Sequence, residues 1–87
     1  MPTVTDTAGA YMAQLLDEAK ARDDIAIRLV LADAEITPKM DHAHPGDTAF
    51  SFKGRRVLVL DALVMQAMEG KTLDVQDAAD GRKIVLY

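Results

Sequence analysis

Two histidines, His42 and His44, are the residues of this sequence best suited to chemistry. On an extended backbone an H-x-H pair directs both imidazoles to one side, because strand side chains alternate with a period of two. Neutral imidazole is a ligand for zinc, copper, nickel or iron. A structural zinc site takes four ligands and a catalytic one usually three, so the pair alone falls short. Asp41, Asp47 and Glu35 lie close by in the chain and could add hard oxygen donors. The plain alternative is a hydrated loop that happens to hold both rings, because H-x-H by itself discriminates poorly.

The remaining candidates are weaker. Asp17 with Glu18 and Asp23 with Asp24 flank an expected helix end, and Asp77 with Asp80 an expected turn, where carboxylates serve as solvated or capping groups. None has the apolar setting that raises a carboxyl pKa for general-acid work. Ser51 is the only serine and has no G-x-S-x-G elbow around it. There is no cysteine, hence no thiolate nucleophile, disulfide or cysteine-held metal. Gly54, Gly70 and Gly81 are scattered rather than gathered into a phosphate-cradling loop. Met12, Met40, Met65 and Met68 are soft donors for copper, but methionines at helical spacing are core fillers first. A protein that is not an enzyme is the expectation.

The elements that must position the histidines are legible in the pattern. Thr5 or Asp6 caps a helix whose apolar residues, Ala8, Tyr11, Met12, Leu15, Leu16 and Ala19, recur at helical spacing. This helix should stop between Ala21 and Asp24, and Gly9 within it points to close packing. Met1 to Val4 could add a short edge strand. Ile25 to Leu31 alternates as a strand, with Ile25, Ile27, Leu29 and Leu31 on the core face and Ala26, Arg28 and Val30 on a mixed one. Ala32-Asp33-Ala34 breaks it. Glu35 to Met40 reads as a further strand, demoted to an edge or bulge by Pro38. Asp41 to Asp47 reads as a loop.

Thr48–Phe52 and Arg55–Leu60 flank Lys53-Gly54 as a hairpin, with Phe50 and Phe52 on one face. The unbroken run Val57 to Leu60 predicts a strand covered on both sides. Asp61 caps a short helix with Leu63, Val64, Ala67 and Met68 as its apolar stripe, and Gly70 ends it. Leu73 and Val75 alternate as a strand, Asp80-Gly81 turns, and Ile84 to Tyr87 closes the chain as a strand. The expected fold class is α+β: a mostly β, two-layer structure of six or seven strands, an N-terminal helix and a second short helix.

Bulk properties narrow the class of partner. Eighty-seven residues predict one domain, residues 1–87, with a core built from Val, Leu, Ile, Met and Ala, since only two Tyr and two Phe are aromatic. The net charge of −4 argues against nucleic acid, whose affinity rests on neutralised phosphates. Lys53, Arg55 and Arg56 are expected at a solvated hairpin tip. No apolar run approaches the ~20 residues of a membrane span, and no secretory leader pattern opens the sequence. The expectation is a cytoplasmic protein with no membrane partner.

Taken in order, these segments resemble the HesB-like, A-type iron–sulfur carrier family. The resemblance rests on Thr5-Asp6-Thr7-Ala8 at the helix start, Gly46-Asp47-Thr48-Ala49-Phe50, Val57-Leu58-Val59-Leu60-Asp61, and Gly70-Lys71-Thr72-Leu73-Asp74-Val75. Each motif is weak alone; their succession in one chain is more specific. The resemblance implies a two-layer HesB-like fold. It also implies cluster ligands, three cysteines in that family, one in a loop after the IAIRLVL-like strand and two in a C-x-C tail beyond the last strand. Here the loop reads Ala32-Asp33-Ala34-Glu35, and the sequence reaches Tyr87 without a cysteine. No ligand carries over.

Two functional expectations follow. The first is a non-enzymatic binding or scaffold protein that resembles the carriers, holds no iron–sulfur cofactor, and associates as a homodimer and with an iron–sulfur assembly protein. The second is a protein that binds a divalent metal through His42 and His44, with a second copy completing the ligand set.

Overall fold

The hairpin at Lys53-Gly54 forms as its residues dictate. Both turn positions take positive φ, 50° at Lys53 and 81° at Gly54, as a two-residue hairpin turn with the twist of its strands requires. A computed structural model describes residues 1–33 and 35–87. In chain order its elements are β1 (Thr3–Val4), α1 (Asp6–Glu18), β2 (Ile25–Ala32), β3 (Glu35–His42), β4 (Thr48–Phe52), β5 (Arg55–Leu60), α2 (Ala62–Ala67), β6 (Thr72–Ala78) and β7 (Gly81–Leu86). The strands form a four-stranded sheet, β3-β2-β5-β4, and a three-stranded sheet, β1-β6-β7. In the first, β2 runs parallel to β5 and antiparallel to β3. In the second, β1 runs parallel to β6. The mostly β, α+β architecture with two helices is as the sequence predicts.

α1 packs on β5, β6, β4 and β2 and so is common to both sheets. Its Met12 and Leu16 are buried with Ile27 and Leu29 of β2, Val57, Leu58 and Leu60 of β5, Val64 and Met68 of α2, and Leu73 of β6. β5 is central, and Val57 to Leu60 are all buried, which explains their unbroken apolar run. Gly9 lies against β4: a Cβ there would sit 2.8 Å from the Phe52 ring. The approach of helix to strand therefore depends on the missing side chain.

Several boundaries differ from the sequence reading, each for a local reason. α1 ends at Glu18, earlier than expected, because Lys20 takes φ 54° and the Ala21 N–H bonds the Leu16 carbonyl at 3.0 Å, a Schellman-type stop. In α2 only Val64 and Met68 of the expected stripe are buried; Leu63 is 77% exposed, since so short a helix presents one turn to the core. Leu31 is also exposed, because β2 and β3 extend beyond the core as a hairpin. The turn of that hairpin includes Asp33 at φ 51°; Ala34, part of the expected break, lies outside the described residues. Pro38 sits on β3, one of the two outer strands of its sheet, as its missing donor demands. The final strand begins at Gly81 rather than Ile84.

Candidate metal centre

β3 carries through to His42, so Asp41 and His42 are strand residues and the loop expected over Asp41–Asp47 is confined to the segment between β3 and β4. Pairing places Asp41 opposite Ala26 of β2, two residues from Arg28. This register creates the site. Cross-strand and diagonal neighbours on one face of a sheet are within reach of a long side chain.

Arg28 is 6% exposed, the one charged residue in the buried set among the described residues. A buried guanidinium must be paired. Its Nε donates to Asp41 Oδ2 at 3.1 Å, its Nη1 to Asp47 Oδ1 at 3.2 Å, and its Nη2 to the His42 carbonyl at 3.1 Å. Nη2 also donates to Asp47 Oδ2, which completes a two-pronged grip on that carboxylate. The bonds it donates to Asp47 hold the Arg28 pKa above its ordinary value against the opposing effect of burial. The Asp47 carboxyl is held down at about 2 by Arg28 and by the His44 N–H. Burial pushes Asp41 upward, but the His42 N–H and Arg28 outweigh it, so its carboxyl too lies below the usual range.

The two histidines flank this cluster of three charged groups. Their rings are 4.9 Å apart between centroids and nearly edge-to-face at 62°. His42 Nδ1 lies 3.2 Å from Asp41 Oδ1, and His44 Nε2 lies 3.2 Å from Asp41 Oδ2. One potential ligand atom from each of Asp41, His42 and His44 falls within 4.8 Å of the others. The structure thus brings the predicted histidines together and adds Asp41. It does not add Asp47, which is committed to Arg28, nor Glu35, at the far end of β3. Arg28 is the residue that sequence reasoning missed. A lone charge in the apolar run IAIRLVL, opposite a segment rich in aspartate, was its signal.

The basic cluster expected at the hairpin tip divides. Lys53 lies 5.5 Å from the Phe52 ring, and Arg56 is exposed. Arg55 is half-buried, reaching Asp17 at 3.5 Å. A cleft of about 430 Å³ opens elsewhere, lined by Asp74, Val75, Gln76, Val85, Leu86 and Tyr87. Its carboxylate is consumed by bonds from Thr5 Oγ1 at 2.7 Å, the Val75 N–H at 2.8 Å and the Tyr87 hydroxyl at 3.3 Å. Among the described residues, no helix is long and apolar enough to cross a membrane.

No protein-family model matches the chain, and no curated protein does. Solved structures do. Escherichia coli SufA, involved in biosynthesis of iron–sulfur clusters, superposes with a TM-score of 0.73 at 18% identity, over 99% of this chain and 83% of that one. This chain has the HesB-like fold. The structure of IscA with a 2Fe–2S cluster matches at 0.68 and 14% identity, over 100% of this chain and 84% of the other. An Aquifex aeolicus protein solved by solution NMR matches at 0.70 and 21%, over 98% and 88%. Within the HesB-like fold the donors available here are one carboxylate and two imidazoles with no thiolate, a set that does not fit a cluster whose irons are held by cysteine.

Proposed function

We propose that this chain is a non-enzymatic binding protein that uses the HesB-like fold as a recognition surface and carries no cluster on ligands of its own. The observation that supports this reading is a carrier fold matched over nearly the whole chain in a sequence without cysteine. Its partners are a second copy of the chain and a protein of iron–sulfur assembly, and it works in the cytoplasm.

Anaerobic incubation with ferrous iron and sulfide, followed by desalting, is expected to leave no visible chromophore. A stoichiometric cluster on this chain overturns the reading. Light scattering on the same material is expected to give the mass of a dimer, and a monomer at all concentrations removes the homodimer from the proposal.

A further inference from the structure

We propose that Asp41, His42 and His44 form a mononuclear site for a divalent transition-metal ion of the imidazole-preferring class, zinc or nickel rather than magnesium or calcium. The donor set selects the class: imidazole nitrogen suits zinc, nickel and copper, whereas the hard ions take oxygen alone. The cluster is small enough to close on one ion. Ligands at zinc bond lengths of about 2.0–2.1 Å on a tetrahedron stand roughly 3.3 Å apart. His42 Nδ1 and His44 Nε2 each lie 3.2 Å from an Asp41 oxygen, the first from Oδ1 and the second from Oδ2. One ligand atom from each residue falls within 4.8 Å of the others, so rotation of the exposed rings is what brings the set to that spacing.

The site is also held in place. The His42 N–H bonds Asp41 Oδ1 at 2.8 Å and its carbonyl accepts from Arg28. The His44 N–H bonds Asp47 Oδ2 at 2.7 Å and its carbonyl accepts from the Asp47 N–H at 3.1 Å. Every backbone polar group of the two histidines is thus engaged, while the rings stay 65% and 48% exposed and free to close on an ion. Arg28 fixes the orientation of the Asp41 carboxylate, as outer partners of metal ligands do. Arg28 with Asp41 and Asp47 sums to one negative charge, so an arriving cation meets an anionic face. Three protein ligands leave the remaining position to solvent or an exchangeable donor.

The site lies away from the β2–β3 turn, the counterpart by resemblance of the loop that holds the first carrier cysteine. The hairpin turn at Asp33, where the first carrier cysteine falls by resemblance, is at the opposite end of β3, about 23 Å away at strand rise.

Competition for zinc against a chromophoric chelator, on tag-free protein, tests it. One equivalent per chain is expected, with binding lost in the variant carrying both His42→Ala and His44→Ala. Both rings are exposed, so that variant should melt like the parent. Asp41→Asn is expected to lower affinity by about 10-fold or more. Because that change also frees Arg28, its melting curve is read beside it, and the double histidine variant alone decides for or against the site. No saturable zinc binding, or equal affinity in the double variant, overturns the site. Half an equivalent per chain overturns its single-chain form.

Discussion

Two carboxylate centres sit in different regions of this molecule, and both are held below the ordinary aspartate range by different means. Asp47, with Asp41, is held by a buried guanidinium. Asp74 is held by neutral donors, the Thr5 hydroxyl first, then the Val75 N–H and the Tyr87 hydroxyl against the pull of burial. Thr5 also caps α1 through the Ala8 N–H at 3.1 Å, so Asp74 links the helix start to β6 and to Tyr87. That centre is closed: its donors all come from within. The other leaves two exposed imidazoles beside a guanidinium and two carboxylates that together sum to one negative charge. A low carboxyl pKa therefore does not by itself mark a site; what remains unspent around it does.

Substitution should separate the two centres by size of effect. Asp47→Asn leaves the buried Arg28 half-paired and is expected to cost about 3 kcal/mol in chemical denaturation. Asp74→Asn keeps one oxygen for Thr5 and the Val75 N–H, loses the negative charge and the oxygen that accepts from Tyr87, and is expected to cost about 1 kcal/mol. Equal losses would break the distinction between an ionic and a neutral centre.

Acid sharpens the same contrast. Both carboxyls titrate lower in the folded chain than in the unfolded one, so their stabilisation is complete above the unfolded value near 3.8 and is lost as pH falls through the folded one. For Asp47 the window runs from about pH 4 down to about 2. Stability measured across it should fall in the parent and fall less in Asp47→Asn. A parallel slope in that variant would contradict the assignment.

Smaller effects discriminate more finely. Arg28→Lys keeps the charge but loses the fork, and should weaken zinc binding about 10-fold, read by chelator competition. Tyr87→Phe removes an exposed bond to Asp74 and should change stability by less than about 0.5 kcal/mol without touching zinc affinity.

The frame was legible in the sequence because its signals are local. The Lys53-Gly54 turn, the Asp61 cap and the apolar run of β5 each depend on a few adjacent residues, and each stands where the pattern puts it. The helix stop at Glu18 was not legible, since it uses a lysine in a conformation that favours glycine. The candidate site was half legible. His42 and His44 announce themselves by type, but the choice of Asp41 over Asp47 and Glu35 is made by the β2–β3 register and by where Arg28 is buried. Those are long-range facts, and spacing along the chain does not encode them.

The most direct test of the contrast is a zinc titration of ¹⁵N-labelled, tag-free protein followed by amide shifts. Saturable changes are expected, confined to Asp41 through Asp47 and to Arg28, with Thr5, Asp74 and Tyr87 unmoved. Shifts centred on Asp74, or none at the histidines, would contradict an open metal centre set against a closed carboxylate one.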